Sequence, residues 1–304
     1  MLFDLISPAF SGMSAVERLA TGQRIGQFIY HLFPYRRKVI RKNLENYFRF
    51  FDLDSSVSEE IIRKNYEHMG CLFVENFWMK GVRPDQLTGS VTIDNPDGES
   101  WKYLQSRQPA ILALGHIGNW EFIVSTIRHL TGHPVYFISK KIKSRSVNRF
   151  MHQLRQQSGN RMIMPEQARE ILYPELERGE SLGLAADQSA PTDSYWDFFL
   201  GKPVPVFLGP ATFSIRYRIP IIFLAPIRNE DGTFTIYHEF IQSEDLFDKP
   251  SPQNRYQLTR RYLAMVEKYI GLFPDQYYWI HKRWKHTHLA SDFMPKYHPE
   301  RKDF

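Results

Sequence analysis

The amino-acid sequence predicts an α/β fold in which a mostly parallel mixed sheet is flanked by helices and preceded by a helical N-terminal section. Three observations carry this. Apolar residues recur at helical spacing over residues 14–80. From about residue 109 short apolar runs ending in turns alternate with longer amphipathic segments. No internal repeat, low-complexity tract or linker interrupts the chain, so one continuous domain is expected over 1–304, with a helical, membrane-associating section at 1–80 and an α/β core at 90–290.

Residues 1–33 contain no basic stretch followed by a long apolar run and do not read as a secretory signal. Glu17, Arg18, Gln23, Arg24 and Gln27 interrupt them, whereas a bilayer span needs roughly 20 consecutive apolar residues. Val16, Leu19, Ile25, Phe28, Ile29 and Phe33 form an apolar stripe that would face either lipid or the rest of the chain. Val39, Ile40, Leu44 and Tyr47 mark the next helix, and Ile61, Ile62, Tyr66, Met69, Leu72 and Phe73 another. For the latter, Ser56 with Glu59 is expected to form a capping box and Gly81 to end the run. Strands are expected at Ala110–Leu114, Val135–Ile138, Leu182–Ala185 and Ile219–Ala225, with helices at 120–130, 145–157, 166–178 and 251–272. Asp231-Gly232, between Ile227 and Phe234, predicts a hairpin that adds an antiparallel pair near one edge.

The formal net charge is +6, which favours anionic partners such as phospholipid surfaces, phosphorylated glycolipids, acidic carrier proteins or nucleic acid. A single cysteine, Cys71, excludes an intrachain disulfide and a cysteine zinc cluster. No histidine spacing suits zinc.

Chemistry concentrates in Ala110-Ile-Leu-Ala-Leu-Gly-His116-Ile-Gly-Asn119-Trp-Glu121-Phe122. An apolar strand runs into Gly-His and a short turn, and Asn119 can cap the helix that follows. On one continuous helix, positions five apart point away from each other. Across a strand, turn and helix start, the Glu121 carboxylate can fold back to accept from one nitrogen of the His116 imidazole. The other nitrogen is then free to take a proton from a hydroxyl. Such a His-x4-Glu pair suits attack of an alcohol on an activated acyl group, and no Gly-x-Ser-x-Gly nucleophile pattern is present. Taken alone, such a pair reads more readily as a structural histidine and a glutamate complementing a helix start.

The surroundings point one way. Pro34-Tyr-Arg-Arg-Lys-Val39 with Asn43-Leu44, the Gly115–Glu121 block, Arg155 ahead of Gly159, Gly183-Leu-Ala-Ala-Asp187-Gln188, Phe198-Phe-Leu-Gly201 and Pro274-Asp-Gln-Tyr-Tyr-Trp-Ile-His-Lys-Arg-Trp-Lys285 follow one another in order. In that order and spacing the chain resembles the late acyltransferases of lipid A biosynthesis, the lauroyl and myristoyl transferases, within the wider glycerolipid acyltransferase group, over residues 34–286. The resemblance implies transfer of an acyl chain from acyl carrier protein, or coenzyme A, to a hydroxyl of a lipid precursor at the cytoplasmic face of the bacterial inner membrane. It implies no metal or redox cofactor. His116 would be general base, Glu121 would hold its tautomer, and Arg155 and Asp187 would line the donor or acceptor site. Family members usually begin with a spanning helix, whereas the polar start here implies peripheral or monotopic attachment. Where many relatives carry a Pro- and Asn-containing basic turn, this chain reads Ser139-Lys-Lys-Ile-Lys-Ser-Arg145. A glutamate at 121, in place of the aspartate of glycerol-phosphate acyltransferases, points to the lipid A branch.

Lys140 and Lys141, with Lys143, Arg145 and Arg149, could grip lipid phosphates or an acidic carrier, or form a solvated loop face. The aromatic and cationic mixture at 277–285 is expected at a headgroup interface; nucleic acid is disfavoured because no recognised motif accompanies it. Two alternatives stay open beside a lipid A precursor: the same chemistry on another lipid, or a catalytically silent membrane-binding module.

Overall fold

The computed structural model describes residues 2–248 and 251–301. Four helices come first: α1 (Leu2–Ser11), α2 (Ala15–Leu32), α3 (Arg37–Phe50) and α4 (Ser58–Gly81). Gly22 and Gly26 of α2 meet Gly70, Cys71 and Glu67 of α4 so closely that an added Cβ at any of the three glycines would overlap the facing backbone. The α2 apolar stripe is therefore divided. Leu19, Ile25 and Ile29 lie half-buried beside this crossing, while Val16, Phe28 and Phe33 stay exposed.

The capping box expected at Ser56 and Glu59 does not form. Asp54 accepts the Ser56 backbone N–H at 2.9 Å, and α4 starts after Val57 with no side-chain cap. Glu59 instead accepts from Tyr30 at 2.7 Å, Arg41 at 2.9 Å and Arg37. Burial works against the charged carboxylate, but these three donors outweigh it and hold its pKa at about 2. A capping box does form at Ser14 with Glu17, opening α2.

The remainder alternates: α5 (Pro84–Leu87), β1 (Val91–Ile93), α6 (Glu99–Gln105), β2 (Ile111–Leu114), α7 (Trp120–Thr131), β3 (Val135–Ile138), α8 (Arg145–Gln157), β4 (Arg161–Ile163), α9 (Tyr173–Glu177) and β5 (Ser181–Ala185). Then follow β6 (Tyr195–Phe199), β7 (Lys202–Val206), α10 (Gly209–Tyr217), β8 (Ile221–Arg228), β9 (Phe234–Ile241), α11 (Pro252–Leu272) and α12 (Ala290–Phe293). The seven-stranded sheet has the order β1-β9-β8-β2-β5-β3-β4. Its one antiparallel pairing is β8 with β9, joined by the predicted Asp231-Gly232 turn. In place of the single helix expected at 166–178, Pro165 and Pro174 break the segment into a short 3-10 turn, a π turn at Ala168–Leu172 and α9.

Parallel strands with both faces covered read as apolar runs, and β2 and β8 are buried along their whole lengths. Alternation then decides which helix each side chain meets. Ile111, Ala113, Ile221 and Phe223 share a core with Leu258, Tyr262, Leu263 and Val266 of α11. Leu112, Leu114, Ile222 and Leu224 pack with Trp101, Leu104, Ile123 and Ile127 of α6 and α7. Cutting one such leucine to alanine costs about 2–5 kcal/mol, so the platform that carries the site is stiff.

The β6–β7 hairpin lies outside the main sheet and was not expected. Pro203 and Pro205 sit inside β7, which argues against a strand, yet they pair with Phe198 and Trp196 in a two-stranded ribbon. Its turn places Leu200 at φ +46° and Gly201 at φ +69°, a type I′ geometry without the usual Asn-Gly signal.

Candidate active site

Register brings the central pair together. Leu114 of β2 lies opposite Ala185 of β5 in a parallel pairing. The residue two past each, His116 and Asp187, therefore leaves the same edge of the sheet side by side. Tyr262 of α11 fixes the two strand ends: its hydroxyl donates to the Leu114 carbonyl at 2.7 Å and accepts from the Ala186 N–H at 3.0 Å. Asp187 then accepts twice from His116, at 3.0 Å from the backbone N–H to Oδ2 and at 2.6 Å from ring Nδ1 to Oδ1.

Asp187 is fully buried. Burial alone would raise its pKa, but the His116 ring, both His116 hydrogen bonds and the Arg283 charge outweigh it and keep the carboxyl below its usual value. An ionised Asp187 requires the proton on Nδ1. His116 Nε2 then holds an unshared lone pair, and no partner takes it among the described residues.

Beyond His116 the chain is held on three sides. Tyr278 N–H donates to the His116 carbonyl at 2.9 Å, Gly118 N–H to Gln276 at 3.0 Å and Asn119 N–H to Pro226 at 2.9 Å. Gly118 takes φ +57°, and a Cβ there would overlap the Pro226 carbonyl oxygen. Asn119 caps α7 as expected, accepting from Phe122 N–H at 3.2 Å, and also donates to Glu75 of α4 at 2.9 Å. Glu75 in turn grips Arg228 with both oxygens, and Arg228 reaches His68 at 2.8 Å. This buried chain ties the turn after His116 to the N-terminal helices.

Glu121 does not partner His116. Arg155 of α8 takes both of its oxygens, Nε to Oε2 at 2.7 Å and Nη2 to Oε1 at 2.5 Å, and the Trp120 indole donates to Oε1 at 3.1 Å. The expected fold-back fails because Glu121 starts a helix whose first turn faces α8, while Asp187 already fills the position next to Nδ1. Arg155 is itself half-buried; desolvation would lower its pKa, but Glu121 outweighs it and raises it. Its Nη1 donates to Ser139 Oγ at 2.6 Å, so Arg155 braces the start of the 139–144 loop. Lys140 and Lys141 are exposed on that loop, off the same sheet edge as His116, with the Lys140 ammonium 4.7 Å from the Phe207 ring centre.

Aromatic rings wall the imidazole. Trp120 lies 4.9 Å and Tyr278 6.1 Å from His116 between ring centres, and the two rings meet edge to face at 5.3 Å. The 277–285 segment is thus mostly inner wall rather than headgroup contact: Tyr277, Trp279 and Arg283 are buried. His281 accepts the Ser189 N–H on Nε2 at 3.2 Å, and burial pushes its pKa down to about 4, so it is neutral beside Asp187 near neutral pH. Sequence reasoning set Tyr278 at a headgroup interface and missed Tyr262 and the Glu75–Arg228 pair, whose positions depend on elements distant along the chain.

The profile of bacterial lipid A biosynthesis acyltransferases matches residues 9–286. The chain belongs to this family. Among its relatives are the lipid A biosynthesis palmitoleoyltransferase of Escherichia coli strain K12 and a lipid A biosynthesis acyltransferase of Shigella flexneri. Each is 25% identical over 271 residues, spanning 87% of this chain and 83% of the relative. As a member of the lipid A acyltransferase family, the protein is an acyltransferase. No helix among the described residues is long and apolar enough to cross a membrane.

Proposed function

We propose that this acyltransferase moves a fatty acyl chain from the thioester of acyl carrier protein to a hydroxyl of a lipid A precursor at the cytoplasmic face of the inner membrane, with His116 as general base. The observation that carries the proposal is the His116–Asp187 pair, with Nδ1 committed and Nε2 open. Nε2 takes the proton of the acceptor hydroxyl as its oxygen attacks the thioester carbonyl carbon. The C–S bond of the tetrahedral intermediate then breaks, and the leaving thiolate takes the proton back from the imidazolium. Ester and free carrier thiol result, and charge and atoms balance. Asp187 stabilises the imidazolium through the transfer and fixes the tautomer before it.

Glu121 and Arg155 are positioning residues in this scheme. Their pair joins the start of α7 to the 139–144 loop, so the wall formed by Trp120 and the cations of that loop keep one geometry. Lys140 and Lys141 would meet phosphates of the acceptor or the acidic face of the carrier. The test is transfer of labelled acyl groups from acyl carrier protein to a lipid A precursor in detergent, with wild type and His116→Ala. Loss of transfer in a folded His116→Ala supports the base assignment, and a retained rate refutes it. Acylation of a lysophospholipid in place of the lipid A precursor would keep the mechanism and overturn the acceptor.

A further inference from the structure

Phe28, Leu32, Phe33 and Tyr35 are 57%, 59%, 66% and 60% exposed, and all lie within the last turns of α2 and the bend into α3. Soluble surfaces scatter such side chains singly; a cluster marks an interaction site. The cluster is fixed in shape. The Phe28 and Phe33 rings stand 6.1 Å apart, and Tyr66 of α4 holds the bend by donating to the Tyr35 carbonyl at 2.7 Å.

Its charge has one sign. From Arg18 to Leu44 the sequence contains no Asp or Glu. Of the cations in this stretch, Arg37 and Arg41 are paired with Glu59 and Arg18 is buried, while Arg24, Arg36, Lys38 and Lys42 are exposed. The bend also adjoins the catalytic centre. Arg36 donates to the Ile280 carbonyl at 3.0 Å, and Asn43 of α3 donates to the carbonyls of Trp279 and His281 at 2.7 and 2.8 Å. The segment it grips carries Tyr278, whose ring flanks Trp120 and His116.

We infer that the α2–α3 corner is the surface by which the protein seats on an anionic bilayer, with Phe28, Leu32, Phe33 and Tyr35 among the headgroups and Arg24, Arg36, Lys38 and Lys42 against lipid phosphates. This deepens the proposed lipid-acceptor reading and rests on it. Apolar and aromatic side chains ringed by cations match an interfacial site, where rings sit at headgroup depth and each cation adds attraction to anionic lipid. Seating by this corner brings the bilayer surface to the side of the Tyr278 wall, so an acceptor would reach His116 without leaving the interface.

The experiment pairs vesicle binding with two activity assays. Leu32→Ser/Phe33→Ser and wild type are floated with phosphatidylethanolamine–phosphatidylglycerol vesicles, with Leu272→Ser, exposed elsewhere, as control. Acyl transfer is measured with the acceptor in vesicles and dispersed in detergent. The double variant is expected to lose vesicle binding and vesicle-acceptor activity by about tenfold or more, while detergent activity and the control stay near wild type. Phe33→Trp should shift its emission to the blue on adding anionic vesicles and be quenched by brominated lipid. Unchanged binding of the double variant, or unshifted Phe33→Trp emission in a bound protein, overturns the inference. So does a concentration-dependent dimer, or retention on immobilised acyl carrier protein, that the double variant abolishes while vesicle binding stays intact. Should wild type fail to acylate even the dispersed acceptor, the functional reading falls, whereas the flotation result still decides where the membrane is met.

Discussion

Two buried carboxylates stand near one another in the sheet-edge site and are used in opposite ways. Asp187 gives both oxygens to His116, which is itself 17% exposed and keeps Nε2 uncommitted. Glu121 gives both oxygens to Arg155, and Trp120 adds a third donor, so both oxygens are committed to structural partners. A general base needs a lone pair facing a substrate, whereas both Glu121 oxygens face Arg155. On the proposed mechanism the first arrangement moves a proton and the second holds two helices in place.

The largest effect that separates them is on turnover. Asp187→Asn presents an amide N–H to Nδ1, which favours the tautomer with its proton on Nε2 and removes the base. By analogy with hydrolase triads, kcat should fall about 10³–10⁴-fold with little change in KM or thermal midpoint. Glu121→Gln retains a partner for Arg155 and should cost much less. If Glu121→Gln were the more damaging of the two while stability held, the roles assigned here would be reversed.

Stability should split the other way. Glu121→Ala leaves the Arg155 guanidinium buried without its carboxylate, which costs about 3–5 kcal/mol. Glu121→Leu with Arg155→Met replaces the pair by apolar volume and should restore most of that in urea unfolding, though the 139–144 loop loses its brace at Ser139. A single Glu121→Ala variant as stable as wild type would show that the pair opens in solution. Gly118→Ala tests the scaffold below both sites. Its added methyl meets the Pro226 carbonyl at φ +57°, so a stability loss of about 1–3 kcal/mol together with a fall in kcat is expected.

Much of the frame was legible in the sequence because it is written in local patterns. The apolar runs around Ala113, Phe137, Leu184 and Phe223 became β2, β3, β5 and β8; Asn119 capped α7; and Asp231-Gly232 turned β8 into β9. His116 emerged as the centre of the site for the same reason, a strand ending in Gly-His before a helix cap. The partner of His116 was not legible. Five residues of spacing favoured Glu121, whereas Asp187 is 71 residues away and adjacent only because β2 pairs with β5 in register. Strand order is a tertiary fact that periodicity does not encode. One signal could have found it: Asp187 follows its apolar strand at the same offset as His116 follows its own, and parallel neighbours align such positions. The aromatic and cationic residues at 277–285 misled for the complementary reason, since composition does not tell an inner wall from a lipid-facing one.

The smallest expected effect concerns His281, which shares the Asp187 side of the site. Burial lowers its pKa from 6.5 to about 4, only partly offset by Asp187. Between those values the unfolded chain binds a proton that the folded protein refuses, so stability is complete above pH 6.5 and declines as pH falls toward about 4. Because the ring is partly exposed, the loss is nearer about 1 kcal/mol than the full shift implies. His281→Gln can still accept the Ser189 N–H but does not titrate, so its urea midpoint should fall less than wild type between pH 7 and pH 5. His68 and His238, both depressed chiefly by burial, act in the same direction and leave a residual slope. An unchanged slope would mean that His281 titrates in the folded protein as it does in the unfolded chain. A reduced slope would mean that near neutral pH Asp187 answers to one imidazole, the one with a free Nε2, and Glu121 to none.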